Sequence, residues 1–169
     1  PTEAGRTIAE ELQAQYETLI AQGDELFEAE NYTDALSPFQ NASELKPEES
    51  YPRERLEEIN AIIAAAEELE RTYSEFIAQA DNLLGEERYD EAIEKYNAAL
   101  DLKPEEQYPK DKIAEVNGII ARLKDLAERQ AEYDELIVAA DSYFNQEQYN
   151  KSLDRFQQAS ALFPEEAYP

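Results

Sequence analysis

Forty carboxylates against fifteen cations, with no histidine and no cysteine, set narrow bounds on the chemistry this chain can perform. The candidates are three acid pairs, Glu48/Glu49, Glu105/Glu106 and Glu165/Glu166, each directly after a proline, and three single aspartates, Asp24, Asp81 and Asp141. Paired carboxylates could hold calcium or cleave a glycosidic bond. Calcium calls for closely spaced oxygen donors around a glycine turn, and no DxDxDG-type loop accompanies the pairs. Hydrolysis calls for a cleft and one carboxyl with a raised pKa, which a regular acidic surface does not suggest. Each pair is better placed at a helical turn, where negative charge suits the N-terminal dipole. The missing histidine and cysteine remove the usual zinc ligands, the usual general base and the thiolate nucleophile. There is no phosphate-cradling glycine loop, no serine elbow and no HExxH. No enzymatic activity, metal or cofactor is therefore expected. The three aspartates differ: on stacked helices they would line one face, an acidic track for lysine- or arginine-bearing partners, unless they are simply solvated carboxylates.

The elements that must position these residues are helical. From Pro52 to Gly85 apolar or small residues recur at Leu56, Ile59, Ile63, Ala66, Leu69 and Tyr73 and on to Leu84, without an interior proline or glycine. That period predicts one helix of about 50 Å at 1.5 Å per residue. A capping box at Thr72 and Glu75 offers the rival reading of two helices divided near residue 71. A second long helix is predicted from Pro109 to about Asn145, with Gly118 as a weak spot. Residues 1–6 read as a frayed lead-in, and a capping box at Thr7 and Glu10 opens a helix reaching Glu30. A turn over Glu30 to Thr33 leads to a short helix ending near Leu45, where Pro47 stops it, and Pro52 fits the first turn of the next. Thr33, Asp90 and Asn150 are capping types at the start of each short helix. Tyr51, Tyr108 and Tyr168, each before a proline, are expected to be extended and to pack over their turns.

The whole pattern repeats. Tyr32, Pro47, Tyr51 and Pro52 return as Tyr89, Pro104, Tyr108 and Pro109 after 57 residues, and as Tyr149, Pro164, Tyr168 and Pro169 after a further 60. The three extra residues fall in the second long helix, advancing it by about 4.5 Å and turning it by about 300 degrees. An internal repeat of this kind predicts stacked units that close one another's apolar faces. Most of the eleven tyrosines recur at packing positions and read as filling.

A net charge of −25 works against nucleic acid and anionic membrane as partners, and no run of eighteen apolar residues predicts membrane insertion. The start at Pro1 and the absence of methionine and tryptophan suit an excised, processed or designed piece. The end at Tyr168-Pro169 suits either an excerpt of a longer array or a natural cap, and an uncovered last helix would invite self-association.

The stretches Leu19 to Pro47, Phe76 to Pro104 and Leu136 to Pro164 resemble tetratricopeptide repeats. In the second, Phe76, Ala80, Leu83, Tyr89, Ala92, Tyr96, Ala99 and Pro104 carry the match, in the text RYDEAIEKYNAALDLKP. In the first and third, Gly23 with Phe39 and Ala140 with Phe156 stand where Ala80 stands with Tyr96: a small residue lets the partner helix approach and a ring fills the gap. The departure is the interval, 57 or 60 instead of the family's 34, filled by Tyr-Pro-initiated segments RERLEEINAII and KDKIAEVNGII. This elongated form resembles cell-envelope and gliding-type proteins of the Bacteroidetes, which implies a periplasmic or envelope location.

The resemblance implies an all-α, tetratricopeptide-like solenoid with alternating short and long helices, a single array with units at 7–51, 52–108 and 109–169. It implies a groove lined by the first helix of each pair, with Ile20, Asp24 and Phe27, then Ile77, Asp81 and Leu84, then Ile137, Asp141 and Phe144 as partner-binding residues. Members that grip a terminal carboxylate use lysine and asparagine where this chain has Ile20 or Ile77 and Asp24 or Asp81, so a basic or apolar protein or peptide is favoured over an acidic one. The expected function is a non-enzymatic scaffold for a peptide or partner domain. The alternatives are a spacer or self-associating rod within a larger envelope protein, and a consensus or designed repeat without a natural ligand. An open apolar groove favours the first; Tyr-Pro segments that bury it favour the second.

Overall fold

The computed structural model describes residues 3–165, with side chains from residue 7 onward. It is all-α: α1 (Glu3–Glu28), α2 (Tyr32–Leu45), α3 (Tyr51–Gly85), α4 (Tyr89–Leu102), α5 (Gln107–Asn145) and α6 (Tyr149–Leu162), with no strand among the described residues. None of these helices is long and apolar enough to cross a membrane. The chain divides into two compact units, Pro1–Glu75 and Phe76–Pro169, and the division falls inside α3. Each unit is taken by itself.

In the first unit α1 and α2 pack antiparallel, because Gly23 meets the ring of Phe39 while Tyr16, further back on α1, lies under the Lys46 ammonium just beyond α2. A Cβ built on Gly23 would stand 2.7–2.9 Å from three atoms of that ring. Only a glycine admits so close an approach. Phe39, Ala35 and, from α3, Ile59 are wholly buried, and Ile20, Leu26, Phe27, Leu56 and Ile63 close around them. Pro38 lies inside α2 and is buried; its ring removes the donor that the Asp34 carbonyl would otherwise receive. Lys95 and Arg155 hold the corresponding places in the later short helices.

The second unit holds two such arrangements. In one, Ala80 of α3 and Ala92 and Tyr96 of α4 are buried, with Ile77, Leu83, Leu84 and, from α5, Ile113 packed against them. In the other, the last part of α5 packs on α6, with Tyr133, Ala140, Ser152 and Ala159 buried. Between these ends α5 runs through residues 121–132 exposed on every side. Gly118 sits in this unbroken helix with open space where a Cβ would be.

Several local expectations are corrected. The first helix opens at Glu3, four residues ahead of the capping box, so Thr7 lies inside it. The box at Thr72 opens nothing: its hydroxyl bonds back to the Glu68 carbonyl at 2.9 Å, and α3 continues through it. Thr33, Asp90 and Asn150 are the second residues of their helices. Asn31, Arg88 and Gln148 hold the cap positions, with no side-chain cap bond. Tyr51 and Tyr108 lie within the first turns of α3 and α5, and the extended residue ahead of α5 is Glu106. Glu48/Glu49 and Glu105 are exposed in turns ahead of the helices. Tyr168, Pro169 and Glu166 lie outside the described residues.

The turns after α1, α3 and α5 share one construction. Glu30, Glu87 and Glu147 have φ of 59, 61 and 60 degrees, a left-handed conformation in which a glycine is at ease and a glutamate is not. The next residue donates its amide to a carbonyl five back (Asn31 to Leu26, Arg88 to Leu83, Gln148 to Tyr143, each 2.9 Å), closing a Schellman motif. Glu87→Gly is expected to raise the unfolding free energy by about 0.5–1 kcal/mol, from relieved strain and one fewer carboxylate at a helix C-terminus. Denaturant titration reads this out, and a loss of stability would mean that the Glu87 side chain contributes more than its backbone strain costs.

Candidate functional site

Packing has drawn the sequence-predicted groove residues into different settings. Ile20 and Phe27 project from α1 against the Ala35–Phe39–Ile59 cluster, so the opening part of α3 lies over them. The Arg55 guanidinium closes the same spot, 4.5 Å above the Phe27 ring and 5.3 Å from that of Tyr51. Ile77 and Leu84 are likewise packed against the Ala80–Ala92–Tyr96 cluster, with Ile113 of α5 over it. In both places the cover is the Tyr-Pro-initiated helix, whose aliphatic residues repeat every three or four positions and whose buried prolines, Pro52 and Pro109, lie within the first turn.

The aspartates are tied into this cover. Asp24 accepts the Tyr51 hydroxyl at 2.6 Å, and Arg55 stands 3.7 Å from the same oxygen. Asp81 accepts two hydroxyls, from Tyr96 at 2.5 Å and Tyr108 at 2.9 Å. Burial, followed by these bonds to a carboxylate, raises the Tyr51, Tyr96 and Tyr108 hydroxyls above the ordinary tyrosine value. Each aspartate thus joins the first helix of a pair to the Tyr-Pro helix that covers it. Asp141 occupies the corresponding place in the third arrangement and is half-buried.

That third arrangement is open. Ile137 is half-buried like Ile20 and Ile77, but Phe144, Tyr149 and Leu153 are each 57% exposed. Their counterparts, Phe27 or Leu84, Tyr32 or Tyr89, and Leu36 or Ile93, are all half-buried. Phe144 and Tyr149 meet edge to face, ring centroids 5.5 Å apart, and form one continuous apolar patch. Val138 is also exposed, but so are its counterparts Ala21 and Ala78, so it belongs to a face that is open throughout. Beneath the patch, Phe156 is half-buried where Phe39 and Tyr96 are fully enclosed.

Two shallow recesses repeat at matching positions. One of about 450 Å³ lies between the α1–α2 turn and Ile62, Ile63 and Ala66 of α3; the other, about 520 Å³, lies between the α3–α4 turn and Ile120 and Leu123 of α5. Both open broadly to solvent, and neither gathers polar groups at a point where a reacting atom could sit. Among the described residues no group of three His, Cys, Asp or Glu could hold a metal ion. Ser152 is buried with no hydrogen-bond partner for its hydroxyl, at the place where the other pairs have Ala35 and Ala92. Ser152→Ala is expected to raise stability by about 1 kcal/mol, by removing a desolvated hydroxyl and favouring the helix. A thermal melt that moved downward would show that the hydroxyl is bonded in solution.

Compared with known proteins, no family model matches the chain and no curated protein matches it. The functional reading therefore rests on the residues themselves.

Proposed function

We propose that the chain is a non-enzymatic protein-interaction module, built as a tetratricopeptide-like helical repeat with alternating short and long helices, and that it engages a partner through the α5–α6 face. The carrying observation is the contrast between three equivalent faces: two lie under Tyr-Pro helices, and the third leaves Phe144, Tyr149 and Leu153 exposed as a contiguous patch. Exposed aromatic and aliphatic patches of this kind are sites of association. The shared small-and-large pairs at Gly23/Phe39 and Ala80/Tyr96 support the repeat reading. The net charge of −25 selects a basic or apolar partner over an acidic one. The partner-binding residues of this reading are Ile137, Phe144, Tyr149 and Leu153, with Asp141 beside them, while Ile20, Phe27, Ile77 and Leu84 serve the interior.

The test is a titration of isotope-labelled protein with two amphipathic helical peptides that share an apolar face and carry opposite net charge. The basic peptide should shift the amide signals around Phe144, Tyr149 and Leu153, and bind at least tenfold more tightly than the acidic one at low salt, with the gap narrowing as salt rises. If neither peptide perturbs that face, and the mass stays at 19.3 kDa at millimolar protein, the reading is wrong. The spacer reading would then stand in its place. It draws on the stretch of α5 from 121 to 132, exposed on all sides with Leu123 and Leu126 half in water, as expected of a helix that bridges rather than packs.

A further inference from the structure

The recesses beside the α1–α2 and α3–α4 turns are the same place in two repeats, and they differ in charge. In the first, Ile62, Ile63 and Ala66 of α3 and the ring of Tyr32 make an apolar floor, and Glu30, Asp34 and Glu67 stand around it with no cation. In the second, 57 residues on, Ile120, Leu123 and Tyr89 make the floor, and the carboxylates Glu87, Asp90 and Glu91 share the recess with Arg88 and Lys124. These two cations fall where the first recess has Asn31 and Glu67. Arg88 is in use there: its Nε donates to Glu91 at 2.8 Å and a terminal nitrogen donates to Glu86 at 3.0 Å. Among the described residues no ion pair reaches Glu30, Asp34 or Glu67. The second repeat thus supplies from its own chain the positive charge that the first leaves out. The first recess is built between residues 30 and 67, with further helices before and after it, so its openness belongs to the fold at that place.

We infer that the first recess binds a cationic side chain of a partner protein, an arginine or lysine carried in an apolar segment. The aliphatic stem of such a side chain matches the floor and its charged head reaches the rim, the division between apolar stem and wet cation that both residues share. An acidic segment would be repelled by the same rim. A bare metal ion does not fit, since among the described residues no three carboxylates come together as ligands; the charge is spread around an apolar centre, which suits an organic cation. The breadth of the opening suits a side chain presented by a larger partner, because small ligands are held where most of their surface is enclosed. This site is separate from the α5–α6 face, and its success or failure leaves the reading of that face unchanged.

The probe is the capped pentapeptide Ala-Leu-Arg-Leu-Ala, titrated into the isotope-labelled full chain at low salt. Saturable shifts are expected at the amides of Asn31 to Asp34 and the methyls of Ile62 and Ile63. Affinity should fall about fivefold or more when norleucine replaces the arginine, keeping the stem without the charge, and likewise when diaminopropionic acid replaces it, keeping a charge without the stem. In the protein, Asn31→Arg with Glu67→Lys reproduces the cations of the second recess and should weaken binding by a similar factor. Both positions are exposed, and Arg88 already serves as the cap residue of α4, so the helical circular dichroism should be unchanged. Asn97→Arg with Glu94→Lys, the same change of charge at exposed positions of α4, should bind as the parent does. No saturable shift in the recess, equal binding of either altered peptide, or an equal loss in both protein variants would overturn the inference. Capped arginine that bound as tightly as the pentapeptide would make the ligand a free small cation and overturn the assignment to a protein segment.

Discussion

Phe39→Ala is expected to lower the unfolding free energy of the first unit by about 3–5 kcal/mol, the range for emptying a fully enclosed aromatic site. The ring has no exposed surface, its tip presses on Gly23, and its edge faces Tyr51 with centroids 6.3 Å apart. It is where α1, α2 and α3 meet. Gly23→Ala tests the same contact from the other side. A methyl at that position would stand under 3 Å from the ring, and a wholly buried ring has little room to retreat. Helix propensity returns about 1 kcal/mol to the alanine, so the expected net loss is about 1–2 kcal/mol. In the double variant the overlap is gone and the alanine fills part of the cavity. The combined loss should thus be smaller than the sum of the two by more than about 1 kcal/mol, measurable by chemical denaturation as a double-mutant cycle. Strict additivity would mean that Gly23 and Phe39 do not meet in solution.

Tyr96→Ala is expected to cost a similar 3–5 kcal/mol, and the hydroxyl of this residue adds a pH dependence that Phe39 lacks. Burial, and then the bond to Asp81, keep the Tyr96 hydroxyl neutral well into the alkaline range. A phenol with a native pKa above its unfolded value of about 10 contributes a stability that is fully present below pH 10 and is lost as pH climbs from there toward the native value. Stability should therefore be flat in the weakly alkaline range and fall steeply beyond pH 10. Tyr96→Phe should cost about 1 kcal/mol at neutral pH through the lost bond, and should reduce the alkaline slope without removing it, because Tyr51 and Tyr108 are shifted the same way. Tyrosinate absorbance followed with far-ultraviolet circular dichroism measures both. An unchanged slope in the variant would place the buried phenol elsewhere.

Much of this architecture was legible because the signals were strong and local. Prolines at 47, 52, 104 and 109 mark the breaks, and the apolar period sustained across Pro52 to Gly85 pointed to one helix against the rival break that the Thr72 capping box offered. The Gly23–Phe39 contact was legible as a small residue opposite a large one. The left-handed turns at Glu30, Glu87 and Glu147 were not, because no glycine marks them and the strain is carried by an ordinary residue. Pro38 was missed for the opposite reason: a strong breaker sits inside a helix whose packing overrides it. The site shows where periodicity stops being informative. Ile20, Phe27, Ile77 and Leu84 form an apolar stripe on sequence grounds, but a stripe does not say which neighbour lies on it. A signal for the answer was present in the spacing of 27 residues from Asp24 to Tyr51 and from Asp81 to Tyr108, the distance at which each carboxylate meets a covering hydroxyl.

The ion pairs explain little of the stability. Arg88 with Glu86 and Glu91, at the turn into α4, and Arg71 with Glu68, within α3, lie in water, where salt and solvent screen such pairs. Burial at the three-helix junctions dominates. The same burial packs Ile20, Phe27, Ile77 and Leu84 against the helix clusters beneath the Tyr-Pro helices.

The most direct measurement of that claim uses the absence of cysteine. A single thiol placed by Phe27→Cys, Leu84→Cys or Phe144→Cys has no native competitor, and its reaction rate with a thiol reagent reports access. The thiol at 144 should react at close to the rate of the unfolded chain, and those at 27 and 84 at least tenfold more slowly, each accelerating when denaturant opens its cover. Equal, fast reaction at all three positions would show that the Tyr-Pro helices do not cover the first two faces.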